Sequence, residues 1–172
     1  ALPIWQRQFQ ECKARALLAN PLLSFERLLV VKRAVGNDTR NAVRRLGIPA
    51  NGASNSQITG KRFDNELAIL SPVSPDGTLT TLYRPPDGGY VGEMDLHWDA
   101  ERLLFSRSNR KNWNIWEIAT DGDRLRQVFR TPEDVDCYDA CFLPDGRIVF
   151  ASTASYQSVP CWHGIMPACH LY

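Results

Sequence analysis

The chain has 172 residues, of which 44% are hydrophobic and 23% charged, and a formal net charge of +1; this is the composition of an ordinary folded domain, not of a disordered or collagen-like chain. A charge so near zero makes no field that would select nucleic acid or an anionic membrane as a partner. The longest apolar runs, such as Leu28-Leu29-Val30-Val31, fall far short of the roughly 20 residues that a spanning helix needs, so no membrane span is predicted.

Pro3 stands where a first helical turn tolerates a missing N–H, and Ile4, Trp5, Phe9, Cys12 and Ala16 then recur on one face of a 3.6-residue period. The helix is predicted to run to about residue 19, where Asn20-Pro21 stops it because the residue before proline is driven out of the helical region. Residues 1–24 thus form a helical lead-in. Residues 25–33 follow, and their apolar, partly β-branched centre predicts a strand buried on both faces. Residues 34–65 interrupt the pattern with Gly, Asn and Ser and with a short helix predicted over 39–46, capped by Asp38 and closed by Gly47. This insertion and its flank carry Lys32, Arg33, Arg40, Arg44, Arg45, Lys61 and Arg62, a basic excess that suits an anionic ligand or acidic surface, or simply a solvated loop.

From residue 66 onward the helical period disappears. Strand cores are predicted at 67–70, 79–83, 103–105, 115–118, 125–129 and 148–150. Between them stand Pro75-Asp76-Gly77, Pro86-Asp87-Gly88, Asp121-Gly122 and Pro144-Asp145-Gly146. Proline presets the first turn position, while Asp and Gly tolerate the left-handed backbone of tight turns.

The segment running from Asp95 to Phe105 superposes on that running from Asp139 to Phe150 with one inserted residue, at a spacing of about 44–45, the period of a four-stranded propeller blade. The same order recurs upstream, with 28–33 standing for 103–108, 65–71 for 114–119 and 78–84 for 124–130. Continuous runs such as Leu103-Leu104-Phe105 and Ile148-Val149-Phe150 are what strands sandwiched between neighbouring sheets require, whereas a one-sided sheet would alternate. The fold class expected is all-β: a partial β-propeller of about two to three four-stranded antiparallel blades (about 25–93, 94–137 and 138–172) with an N-terminal helix. Cys169-His170-Leu171-Tyr172 reads as the opening of a further strand, so a fragment of a larger propeller is expected.

The segment 96–128 contains Leu103-Leu104-Phe105-Ser106-Arg107-Ser108, Asn112-Trp113-Asn114-Ile115-Trp116 and Asp121-Gly122-Asp123. It resembles the repeat of TolB-type propellers, in which a turn, an apolar strand, a Ser-x-Arg step, an Asn-rich Ile-Trp strand and Asp-Gly recur in each blade. Ala16-Leu17-Leu18-Ala19-Asn20-Pro21-Leu22-Leu23, Leu29-Val30-Val31-Lys32-Arg33, Asp64-Asn65-Glu66-Leu67-Ala68-Ile69-Leu70-Ser71-Pro72, the stretch from Asp136 to Phe150 and Gln157-Ser158-Val159-Pro160-Cys161 are similar to the propeller middle domain of the hydrazine synthase alpha-subunit family. The resemblance implies a periplasmic or extracellular location. It also implies partners in the remaining blades and flanking domains of the same chain, with a protein partner as a further candidate. The founding enzyme of that family uses c-type haem, whose attachment needs Cys-x-x-Cys-His. Cys161-Trp162-His163 and Cys169-His170 depart from that motif, so no cofactor is expected within these residues and any haem would belong to flanking domains.

Asp95 and His97 alternate onto one side of a blade's first strand, and Asp139 and Cys141 take the matching places one repeat later; all four are therefore candidates to line a channel. His97, Cys141, Cys161 and His163 are candidate metal ligands, since imidazole and thiolate suit zinc or iron. The competing account makes the aspartates hydrogen-bond acceptors for neighbouring strands and Cys141 a small buried hydrophobe. A disulfide between Cys161 and Cys169 is a further alternative, and an odd count of five cysteines leaves at least one thiol unpaired. Neither a Gly-x-Ser-x-Gly elbow nor a phosphate-cradling glycine loop occurs. Trp98, Trp113, Trp116 and Trp162 suit either stacking on sugars or bases or a place in the core; Trp113 and Trp116 differ in parity and face opposite sides of one strand, which favours the core. The function expected is a non-catalytic interaction module of a larger extracytoplasmic protein, with a propeller of a multihaem redox enzyme or of a hydrolase as alternatives.

Overall fold

A computed structural model describes residues 2–33, 64–109, 111–160, 163–164 and 167–172. The predicted 39–46 helix and Cys161 lie outside the described residues. Helix α1 (Ile4–Leu18) starts at Pro3, and its last turn closes through the Ala19 N–H on the Arg15 carbonyl. A single 3-10 turn follows at Pro21–Leu23, capped by the Asn20 side chain, which accepts from the Leu22 N–H at 3.0 Å. The helical stripe foreseen in the sequence is present but uncovered: Ile4, Trp5 and Phe9 are all exposed.

Among the described residues ten strands follow: β1 (Leu28–Arg33), β2 (Asn65–Ser71), β3 (Thr78–Tyr83), β4 (Val91–Leu96), β5 (Arg102–Ser108), β6 (Trp113–Ala119), β7 (Arg126–Gln127), β8 (Cys137–Phe142), β9 (Ile148–Ser152) and β10 (His170–Leu171). They form three sheets, ordered β1-β2-β3, β4-β5-β6-β7 and β10-β9-β8. Within each sheet chain neighbours are sheet neighbours, and short turns join β2 to β3, β4 through β7 in succession, and β8 to β9. Gly88, Gly122 and Gly146 occupy the left-handed region with φ of 65°, 97° and 86°, the conformation that the Asp-Gly pairs were expected to supply.

The chain divides into two compact units, Ala1–Val30 with Ala68–Thr81, and Val31–Leu67 with Leu82–Tyr172. The first contains α1, the 3-10 turn and the remaining parts of β1–β3. The second contains the rest of those strands and the other two sheets, and its centre is β5. Leu103, Leu104, Phe105 and Ser106 are all fully buried, so consecutive residues, which point to opposite sides, are both covered. On one side Leu104 and Ile115 pack with Val135, Cys137, Ala140 and Phe142, with Phe129, Ile148 and Phe150 around them. On the other, the Phe105 ring meets Tyr83 at 5.2 Å between centroids. Each fully buried aliphatic side chain contributes about 1.5–3 kcal/mol, and a doubly covered strand collects that from every residue.

The tryptophans follow the same geometry. Register pairs Trp116 with Phe105 and Trp113 with Ser108, so the two indoles lie on opposite faces of the sheet. Trp113 is packed between Tyr90 and Tyr138, with centroids 5.0 and 6.1 Å away. Trp116 carries the Arg107 guanidinium 5.0 Å above its ring, and Arg107 reaches Asp87 at 3.0 Å.

Candidate functional site

The first strands of the second and third sheets, β4 and β8, are built alike. Each bears a bulge, between Gly92 and Asp95 and between Tyr138 and Cys141. At the centre of each stands an acid with left-handed backbone, Glu93 at φ 52° and Asp139 at φ 55°. A non-glycine residue there costs on the order of 1 kcal/mol, so tertiary bonds must hold it. They do at Asp139, whose N–H donates to Ser106 Oγ at 2.8 Å. Three residues on, the Phe142 N–H donates to Asp95 Oδ2 at 2.8 Å. These two bonds tie β8 to the sheet that precedes it.

Register also places the candidates. Asp95 pairs with Leu104 and Cys141 with Val149, while Leu96 pairs with Leu103 and Phe142 with Ile148. Asp95 is therefore the counterpart of Cys141, and Glu93 that of Asp139, two residues from the alignment suggested by the acids in the sequence. The β8–β9 turn is one residue shorter than the β4–β5 turn, which shifts everything before it. Asp95 is an acceptor for strand backbone, Asp139 is exposed on its bulge, and Cys141 is a half-buried free thiol.

His97 opens the β4–β5 turn. Its Nδ1 lies 2.8 Å from Asp99 Oδ2, and its Nε2 lies 3.0 Å from an Arg102 Nη2. Arginine only donates, so Nε2 accepts and Nδ1 carries the proton toward the carboxylate. The Asp99 N–H also approaches Nδ1 at 3.4 Å, but the shorter carboxylate contact decides the tautomer. Phe142 presents its ring edge-on to the imidazole at 4.7 Å. The Glu101 N–H and then His97 hold the Asp99 carboxyl below its ordinary value. With both nitrogens engaged, His97 would ligate a metal only by displacing Arg102. His163 is exposed at φ 53°, its N–H bonded to the Pro160 carbonyl at 3.1 Å. Among the described residues no three His, Cys, Asp or Glu side chains converge as a ligand set.

The thiols of Cys137 and Cys169 are packing elements. Cys137 is buried and donates to Ser152 Oγ at 3.3 Å, and burial pushes its thiol up against the opposing effect of that bond. Cys169 is a free thiol against the Tyr138 hydroxyl, not half of a disulfide.

Two charged groupings accompany these strands. Glu66 on β2, with its side chain 4% exposed, receives Lys32 from β1 at 3.0 Å and Arg84 from beyond β3 at 2.8 Å; Arg84 also pairs with Asp64. Near the bulge of β4, the Arg33 guanidinium lies 4.7 Å above the Tyr90 ring. A Cβ at Gly92 would come within 2.7 Å of Arg33 and 2.9 Å of the Tyr90 hydroxyl, so a larger residue would have to displace these side-chain ends. Burial raises the Tyr90 phenol to about 12, against the opposing charge of Arg33 and with Glu93 adding to the rise.

The sequence groups Trp98 with the core tryptophans, because neither periodicity nor parity distinguishes such a residue from them, but its indole is 70% exposed, on a turn tied down at both ends. Compared with known proteins, the chain matches no family model and no curated sequence.

Proposed function

We propose that this chain is a non-catalytic β-propeller module, a scaffold for interaction within a larger extracytoplasmic protein. One observation carries the reading: the β4–β7 sheet is covered on both faces, and its bulged first strand recurs 46 residues later (139 minus 93) in the next sheet. Radially stacked sheets have that property, because each buries both sides and repeats its neighbour's first strand. The non-catalytic part rests on the bonding of the titratable groups. Asp95, His97, Cys137 and Glu66 all serve strand, turn or sheet contacts. The extracytoplasmic placement rests on the TolB-type and hydrazine synthase alpha-subunit resemblance of the sequence.

The test is the absorbance spectrum of the purified full-length protein, paired with an assay against ester and peptide substrates. The expected result is no Soret band and no turnover. A covalent haem signal would replace this reading with that of a redox enzyme, and substrate turnover with that of a propeller-bearing hydrolase.

A further inference from the structure

Trp98 and Leu96 are 70% and 44% exposed at the β4–β5 turn. An indole is the side chain that contributes most at protein interfaces when it is held still, because little freedom is lost on docking. The turn is held still. The Ala100 N–H bonds the His97 carbonyl at 2.8 Å, and the Glu101 N–H bonds Asp99 Oδ1 at 2.9 Å. From the neighbouring 119–123 turn, Thr120 donates its N–H to the Glu101 carbonyl and its hydroxyl to the Ala100 carbonyl, at 2.9 and 3.0 Å. The imidazole of His97 is clamped beneath by Asp99, Arg102 and Phe142.

The sign of the surroundings selects the partner. Asp99 and Glu101 lie on this turn and Asp121 and Asp123 on the one braced against it, all exposed. The two turns contribute Arg102, which is occupied by His97 and lies over the Phe142 ring, and Arg124. Four carboxylates against two guanidinium groups leave a local excess of negative charge, and an exposed indole face attracts cations. We propose that the Trp98 turn docks a cationic, arginine-bearing segment of a partner protein, its guanidinium stacked on the indole and flanked by the carboxylates. This rests on the reading of the chain as an interaction module, and names the chemistry of what it binds. A planar guanidinium fits both elements at once, as a compact ammonium does not.

The experiment titrates nitrogen-labelled full-length protein with an acetylated Gly-Arg-Gly-Arg-Gly amide and with the same peptide carrying neutral citrulline in place of arginine. The Trp98 indole signal, assigned with Trp98→Phe, is followed together with the backbone amide signals of residues 97–102, which report binding in the variants as well. The expected result is saturable binding of the arginine peptide, about tenfold tighter than the citrulline peptide. Trp98→Ala should weaken it by about tenfold, while Asp121→Asn with Asp123→Asn should weaken it and flatten its salt dependence. Both sites are exposed, so an unchanged circular dichroism spectrum and melting curve will confirm that the variants fold. Equal binding of the two peptides, binding indifferent to Trp98→Ala, or no binding of either overturns the proposal. So does a neutral oligosaccharide that moves the indole signal where the arginine peptide does not. None of these outcomes touches the module reading, which falls on haem absorbance or substrate turnover instead.

Discussion

Truncating Leu104 and Phe105 to alanine, one at a time, separates a doubly covered sheet from a one-sided one. The two residues are adjacent on β5, point to opposite sides, and are both 0% exposed. Leu104 faces Ile115, Val135 and Phe142, while Phe105 faces Tyr83. A buried Leu→Ala change costs about 2–5 kcal/mol and Phe→Ala about 3–5 kcal/mol, through lost transfer energy plus the cavity left behind. In a sheet with one wet face, one of the pair would fall within about 0.5 kcal/mol of wild type, as surface substitutions do. The assay is urea unfolding of the full-length protein, with stability read from the midpoint and the slope checked for constancy. Both variants should lose at least about 2 kcal/mol. A near-neutral result for either would refute the two-sided burial on which the fold argument stands.

Three further outcomes follow from individual groups. Replacing both Lys32 and Arg84 with alanine takes two cations from the buried Glu66 carboxylate and should lower the denaturant midpoint more than Glu66→Gln, which leaves half-exposed cations facing water; the reverse order in denaturant midpoints would contradict the burial assigned to Glu66. Tyr90 keeps its proton up to about 12 when folded against 10.0 ordinarily. Between those values the unfolded chain has lost a proton that the folded chain retains, so stability is intact below the lower one and falls as pH rises through the window, by roughly 2–3 kcal/mol. Thermal unfolding of Tyr90→Phe should lack that fall, and an equally steep decline would show the phenol to be uninvolved. Iodoacetamide should label the exposed Cys12 rapidly and the buried Cys137, whose thiol is raised, only on unfolding; mass spectrometry showing equal rates would place Cys137 at the surface.

The strands were legible where sequence and physics coincide. A run such as Leu103-Leu104-Phe105 has no polar partner position, so it must be covered twice, and it is. The Asp-Gly pairs were legible because few residues accept positive φ, as Gly122 and Gly146 do. The bulges at Glu93 and Asp139 were not legible. A bulge is a property of hydrogen-bond register between two strands; nor was the β8–β9 turn legible as the shorter one, which makes Asp95 the counterpart of Cys141 although the acids align by eye. The stripe of Ile4, Trp5 and Phe9 was legible as a helix, but periodicity marks a face able to be buried without naming a cover. Trp98 was grouped with the core tryptophans for the same reason. Its composition and spacing equal those of a core residue, and only the bracing of its turn by Thr120 and His97 sets it apart.

The most direct test of the account is a crystal structure of the full-length protein. It should place the β8–β9 sheet across the Leu104 face of the β4–β7 sheet, with the Phe142 amide on the Asp95 carboxylate, and continue the stack with sheets of the same meander around one axis. Helices covering either face of the β4–β7 sheet, or β4 and β8 in unrelated surroundings, would contradict it.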